Sequence, residues 1–180
     1  MTITVALMSE TLRRITIRPT VEEDVESLWR MLFYASHSDD EPGVTPHDVR
    51  SNPDLVGYIE GWRRGGRVGM IANSGDLAVG AAWLRELGEQ DRSNPVFMGT
   101  GAPELAIAVL PEYQGQGVGS ALISALLEAV GDRSAIVLSA RLDNPAIRLY
   151  QRFGFEMAGE MTNRVGTVSV KMQRPGMRGV

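Results

Sequence analysis

A strand, a glycine-rich turn and a helix follow one another from Pro103 to Val130 with almost nothing between them. The run Glu104-Leu105-Ala106-Ile107-Ala108-Val109 leads through Leu110-Pro111-Glu112-Tyr113 into Gln114-Gly115-Gln116-Gly117-Val118-Gly119-Ser120 and the apolar stretch Ala121–Val130. Gly115, Gly117 and Gly119 crowd backbone amides together where a helix begins. There the N–H groups lack intrahelical partners and the helix dipole favours an anion. Glycines also permit the positive φ values and the close ligand approach that an anion nest needs. The pattern predicts a turn that holds a phosphate.

Two phosphate turns fit this pattern badly. A P-loop closes on Gly-Lys-Ser/Thr, whereas this turn ends Gly119-Ser120 with no lysine. A dinucleotide fingerprint needs G-x-G-x-x-G early in a βαβ unit, with an acidic residue about 20 positions on. Here Ser120 takes the third glycine slot, the turn lies past mid-chain, and the next predicted strand, Ala135–Ala140, leads into Arg141. What fits is Q-x-x-G-x-G, met by Gln114, Gly117 and Gly119.

A second segment, Asn144-Pro145-Ala146-Ile147-Arg148-Leu149-Tyr150-Gln151-Arg152-Phe153-Gly154-Phe155, follows about 30 residues later. Asn144 before Pro145 is the pattern of an N-cap with proline at the first helical position. Ala146, Leu149 and Phe153 form a helical stripe bordered by Tyr150. Read alone, Tyr150 is a core aromatic with a satisfied hydroxyl.

Together these two segments strongly resemble the cofactor motifs of the GNAT N-acetyltransferase superfamily. The resemblance covers about Val68–Gln173 and is specific over Glu104–Ser120 and Asn144–Phe155. It implies the GNAT fold, an α/β (α+β) architecture in which a twisted, mixed, mostly antiparallel sheet splays apart after the strand carrying Val109, with helices on both faces. It implies acetyl-CoA as co-substrate. Its phosphates would lie on Gln114, Gly115, Gln116, Gly117, Val118, Gly119 and Ser120, and its pantetheine arm along the backbone of Ile107, Ala108 and Val109. Asn144 and Ala146 would contact the cofactor, and Tyr150 would sit by the thioester sulfur. The implied reaction is direct attack of an amine on the thioester, without an acyl-enzyme. The sequence agrees by omission, having no cysteine and no G-x-S-x-G serine elbow.

The resemblance gives Tyr150 the role of proton donor to the departing thiolate, since a tyrosine with a reference pKa near 10 is protonated at neutral pH. Glu104 is the candidate general base, because it begins the cofactor strand and some relatives use a glutamate near there. Alternation groups Glu104 with Ala106 and Ala108 on one strand face. The alternative reading of Glu104 is a solvated carboxylate at a strand end.

The acceptor site is expected over about Leu32–Trp62 and Trp83–Ala102. Asp39, Asp40 and Glu41 form an acidic cluster suited to a cationic amine or simply to solvent. Trp62 and Trp83 line an acceptor site or belong to the core. His37 and His47 with these carboxylates match no known metal spacing, so no metal is expected. The segment Ala81–Arg85 with Pro103-Glu104-Leu105 is similar to uncharacterised bacterial members of the superfamily, and names no substrate.

At 180 residues the chain suits one domain, read as 1–180 with mobile termini at 1–13 and 174–180. A net charge of −4 gives no basic footprint for nucleic acid. No apolar run approaches the roughly 18 residues of a membrane span, and the N-terminus lacks a signal-peptide pattern. A cytoplasmic enzyme acting on a small-molecule or peptide amine is therefore expected, with no membrane partner; the resemblance is compatible with a homodimer. The alternatives are a non-catalytic acyl-CoA-binding module, which would keep Gln114–Ser120 without needing Tyr150, and a Rossmann-type nucleotide enzyme, which Ser120 disfavours.

Patterning predicts further elements: a strand at Ile15–Arg18, then a helix over about Val21–Tyr34 capped by a Thr20/Glu23 box, with Leu28, Met31 and Leu32 inward. A turn-rich stretch spans Ala35–Pro53, followed by a helix near Asp54–Arg63. Strands at Val68–Ala72 and Leu77–Leu84 form a hairpin, and Gly88–Ala102 is a long loop. Helices at Val118–Gly131 and Asn144–Phe153 and strands at Phe155–Glu160 and Thr167–Gln173 complete the chain.

Overall fold

The computed structural model describes residues 3–5, 15–60, 62, 67–87, 101–131, 135–163 and 165–176. The expected loop at 88–100, the far ends of both termini and the end of the helix expected to reach Arg63 lie outside the described residues. Two compact units are present: Met1–Leu84 with Ala106–Ala129, and Arg85–Leu105 with Val130–Val180.

The first unit is built on antiparallel strands β1 (Ile3–Val5), β2 (Ile15–Pro19), β3 (Gly69–Ser74) and β4 (Leu77–Arg85, its last residue in the second unit). Within the stretch 1–13, Ile3, Thr4 and Val5 pair with Ile17, Thr16 and Ile15. That pairing is non-local and leaves no signal in a three-residue strand. Strand β5 (Glu104–Val109) starts in the second unit and ends in the first, where the Leu110 N–H donates to the Val79 carbonyl at 2.9 Å. Gly80 permits this approach: a Cβ there would lie 3.0 Å from the Ala108 carbonyl oxygen and 3.1 Å from Leu122.

Helix α1 (Val25–Ala35) follows a 3-10 turn at Glu22–Asp24 and buries Val25, Leu28, Met31 and Leu32. Its entry is not the expected Thr20/Glu23 box. The Thr20 N–H and hydroxyl both donate to the Gly69 carbonyl, at 2.9 and 3.1 Å, so Thr20 is committed to β3. Asp24 caps instead. Its carboxylate accepts the Val21 N–H at 2.8 Å and a two-pronged Arg18 guanidinium at 2.7 and 2.8 Å. Burial alone would raise the Asp24 pKa, but the Arg18 and Val21 hydrogen bonds and the Arg18 charge offset it and hold the carboxyl below its usual range.

The stretch expected as turns contains α2 (Pro46–Ser51), entered through a box in which the Asp48 carboxylate accepts the Thr45 N–H at 2.8 Å and hydroxyl at 2.6 Å. The helix expected from Asp54 is the shorter α3 (Pro53–Val56), capped by Asn52 Oδ1 accepting the Asp54 N–H at 2.9 Å. Helix α4 (Val118–Val130) buries Val118, Leu122, Ile123, Ala125 and Leu126. Each large side chain there contributes about 1.5–3 kcal/mol of transfer free energy, which anchors the start of this helix against the sheet.

In the second unit the strand order is β5, β6 (Ile136–Arg141), β8 (Val168–Arg174), β7 (Glu156–Thr162). β6 is parallel to β5 and antiparallel to β8, and β7 is antiparallel to β8, so the sheet is mixed as expected. Among the described residues β5 meets β6 at one register pair, Glu104↔Val137, at the first residue of β5. Helix α5 (Ile147–Arg152) lies between β6 and β7 in sequence. No helix among the described residues is long and apolar enough to cross a membrane.

Candidate active site

Each unit carries part of the predicted machinery. In the first, β5 runs into a 3-10 turn at Pro111–Tyr113 and then the glycine turn. Gln114 folds back so that its Nε2 donates to the Val109 carbonyl at 3.0 Å, and Gln116 Nε2 donates to the Glu112 carbonyl at 2.8 Å. Gln114 thus fastens the turn to the strand and Gln116 fastens it to the 3-10 turn, each with its side chain. What they leave for a ligand is backbone.

Gly115 and Gly117 have φ of 71° and 83°. An L-residue held in that left-handed region costs roughly 1–2 kcal/mol, which is why glycine stands at both places. The Ala121 N–H donates to the Gly117 carbonyl at 3.0 Å, making Gly117 the N-cap of α4. The amides of Val118, Gly119 and Ser120 precede the first intrahelical bond and are oriented by a 13-residue helix. A Cβ at Gly115 would meet nothing within 4 Å, so the turn is open on that side. This is a geometry for binding an anion.

Strand β5 supplies a second set of backbone groups. Leu110 donates toward β4, and by alternation Ala108 shares that edge; its carbonyl is the one that Gly80 closely approaches. The amides of Ile107 and Val109 therefore point away from β4.

In the second unit, Asn144 Oδ1 accepts the Ala146 N–H at 2.8 Å and the Asn144 carbonyl accepts the Ile147 N–H at 3.1 Å. Asn144 is thus not the expected N-cap with Pro145 at the first helical position: α5 begins at Ile147 with Ala146 as its N-cap, and Asn144 closes the turn before it onto the Ala146 N–H. Tyr150 is 7% exposed on α5, its ring edge-on to Phe155 with centroids 6.2 Å apart. Its backbone carbonyl accepts the Phe155 N–H at 3.1 Å, which fixes the helix exit behind it. The hydroxyl has no hydrogen-bond partner among the described residues. The hydroxyl is not among the buried polar atoms left without a partner, so the ring is buried while its tip is open to solvent or a ligand. Burial pushes its pKa up to about 12.

Glu104 is not at a solvated strand end. It is 2% exposed, and its Oε2 accepts from Arg85 Nε at 2.7 Å. Ser139 Oγ lies 3.4 Å from Oε1. Arg85, the last residue of β4, is the functional candidate that sequence reasoning did not single out. No local pattern pairs residues 19 positions apart on different strands.

The tryptophans belong to the first unit's interior: Trp62 and Trp83 are buried, and Trp83 Nε1 donates to the Tyr58 carbonyl at 3.2 Å. His37, at φ 56°, has Nδ1 3.7 Å from the Asp40 carboxylate. Asp39 is exposed, Glu41 is half-buried, and His47 is exposed on α2.

Residues 9–155 match the model of the acetyltransferase (GNAT) family. Among curated proteins, an uncharacterised protein of Mycobacterium leprae is 40% identical over 89 residues, which is 49% of this chain and 23% of that one. The chloroplastic GCN5-related N-acetyltransferase 2 of Arabidopsis thaliana is 42% identical over 50 residues, 28% of this chain and 19% of that one. The chain thus spans about a quarter or less of the length of these curated relatives. Among solved structures, the histone acetyltransferase HPA2 and related acetyltransferase of Corynebacterium glutamicum has a TM-score of 0.66 at 22% identity, over 91% of this chain and 97% of that one. The yncA protein of Salmonella typhimurium, solved with its cofactor acetyl-CoA, has a TM-score of 0.64 at 20% identity, over 92% and 96%. The ribosomal-protein-alanine N-acetyltransferase of Brucella melitensis has a TM-score of 0.63 at 22% identity, over 88% and 98%.

Proposed function

The chain belongs to the acetyltransferase (GNAT) family, and on that premise we propose that residues 1–180 act as one N-acetyltransferase domain, moving the acetyl group of acetyl-CoA to a primary amine by direct attack. The acceptor is a small molecule or a peptide N-terminus. The observation that carries this reading is the turn at Gly115–Ser120, where Gly115 and Gly117 take positive φ and Gly117 caps α4 ahead of the amides of Val118, Gly119 and Ser120. A pyrophosphate there would be bound by Gly117, Val118, Gly119 and Ser120 through backbone N–H groups. Gln114 and Gln116 contribute by holding the turn's shape.

The pantetheine arm would lie along β5, where Ile107 and Val109 have their amides turned away from β4. A backbone donor aimed at the developing oxyanion contributes roughly 3 kcal/mol of transition-state stabilisation. The amine must lose its proton first. For a lysine-like amine with pKa about 10.4, this costs roughly 4–5 kcal/mol at pH 7.

Tyr150 is the group proposed to meet the departing sulfur. With its pKa near 12 and a thiol near 8.5, complete proton transfer is uphill by roughly 5 kcal/mol. The account therefore gives Tyr150 the part of a hydrogen-bond donor to the thiolate as charge develops, with the proton itself coming finally from solvent. An unpartnered phenol suits that part. It also favours an enzyme over a non-catalytic acyl-CoA-binding module, which has no use for it. Asn144 has its Oδ1 occupied by the Ala146 N–H, so its Nδ2 is the atom proposed to face the cofactor.

Release of free CoA tests the reading directly, because the chain has no cysteine to react with a thiol reagent. Acetyl-CoA with a panel of polyamines, amino acids, aminoglycosides and peptides should give amine-dependent thiol release with at least one class. Tight binding of acetyl-CoA with no amine-dependent release across the panel would instead support the binding-module alternative.

A further inference from the structure

The start of β5 is held by more than main-chain pairing. The Val137 N–H donates to the Pro103 carbonyl at 3.0 Å, and one residue on, Glu104 meets Arg85 at 2.7 Å. Ser139, two residues after Val137 and so on the same face of β6, brings its hydroxyl to 3.4 Å. Lys171 of β8, also buried, sits opposite Ser139 in register. Leu87, Ala102 and Val137 form an apolar cluster in the same unit, Leu87 two residues after Arg85 and Ala102 two residues before Glu104. The ion pair thus ties the end of β4 to the first residue of β5, where β5 meets β6.

We infer that Glu104, held by Arg85, is a positioning residue that fixes the origin of β5, and with it the amides of Ile107 and Val109, and is not the proton acceptor for the amine. The inference rests on the acetyltransferase reading above. Two facts oppose a base. The Glu104 side chain is 3% exposed, whereas a base must reach the amine directly or through one water. Glu104 Oε2 is also engaged by Arg85 Nε at 2.7 Å, from a side chain only 10% exposed, so that oxygen is not free to meet an amine. Ile107 lies three residues along the same strand, so a shift at Glu104 is carried directly to the backbone proposed to bind the pantetheine arm.

Amide exchange and acetyl-CoA calorimetry on the full chain test this in Glu104→Gln and in the double variant Arg85→Met/Glu104→Leu. The double variant replaces the pair with apolar groups of similar volume and guards against mere failure to fold. Glu104→Gln should speed exchange of the Ala106–Val109 amides about tenfold and weaken acetyl-CoA about tenfold. The double variant should return both to within about threefold of wild type. With an accepted amine, the acid limb of its kcat profile should persist. Unchanged exchange and affinity in Glu104→Gln, with kcat down roughly 10²–10⁴-fold and the acid limb gone, would overturn the inference and make Glu104 the base. Wild type that fails to bind acetyl-CoA, while Glu104→Gln still loosens β5, would count against the acetyltransferase reading and leave the anchoring role supported.

Discussion

Replacing Gly117 with valine is expected to weaken acetyl-CoA binding at least about 100-fold. Gly117 stands at φ 83° as the N-cap of α4. A β-branched residue there costs roughly 1–2 kcal/mol of backbone strain or forces the turn to another conformation. Either outcome moves the amides that follow. Hydrogen bonds to a charged group contribute about 1.5–3 kcal/mol each, so misplacing two of them costs 3 kcal/mol or more, and each 1.4 kcal/mol is tenfold in affinity. Calorimetric titration with acetyl-CoA measures the loss. Replacing the exposed Ser124 of α4 by alanine is the control, since it lies away from the turn and should bind as wild type does. Equal affinity in Gly117→Val and wild type would remove the phosphate from this turn.

Tyr150→Phe should lower turnover about 100-fold while acetyl-CoA affinity stays within about twofold. The phenyl ring keeps the edge-on contact with Phe155, and only the hydroxyl is lost. A single preorganised donor to developing charge is typically worth 10²–10³ in rate. The same substitution should leave stability within about 0.5 kcal/mol of wild type, because the hydroxyl has no hydrogen-bond partner among the described residues to lose and is not itself a buried, partnerless atom. Turnover and stability are therefore expected to separate, as loss of a packing residue would not allow. The alkaline limb supplies a further sign. A tyrosine raised from 10.0 to about 12 by burial contributes stability that is complete below pH 10 and lost as the pH climbs through 12. Phenylalanine lacks this dependence, so the variant's melting temperature should gain on wild type across that range. Full turnover in Tyr150→Phe would take the sulfur contact away from this residue.

The parts of the fold that depend on local pattern were legible in the sequence. The strand read over Glu104–Val109 has those bounds, and the helix after the glycine turn starts at Val118 as read. Leu28, Met31 and Leu32 face inward on α1, as their spacing requires. Errors arose where a residue's partner is distant in sequence. Thr20 has the chemistry of an N-cap but is drawn 49 residues away to Gly69, which hands the cap to Asp24. α2 hid inside a turn-rich stretch, although Thr45-Pro46 with Asp48 is a helix entry in its own right. Glu104 shows the same limit at the candidate site. Its position opening β5 was clear, but its burial against Arg85 follows from strand pairing that no single segment encodes. The shape of the glycine turn was readable, because the need for glycine at Gly115 and Gly117 is written in adjacent residues.

The central claim is that Gly115–Ser120 holds the phosphates of a CoA ester, and ligand-dependent melting of the wild-type chain tests it most directly. Acetyl-CoA, CoA, NAD and ATP are compared at equal concentration. A ligand present at about 100 times its Kd stabilises the native state by roughly 2.7 kcal/mol, or a rise in Tm of about 5–10 °C for a chain of this size. The account predicts that rise with acetyl-CoA and CoA and none with NAD or ATP. A rise with NAD or ATP, and none with either CoA compound, would contradict it.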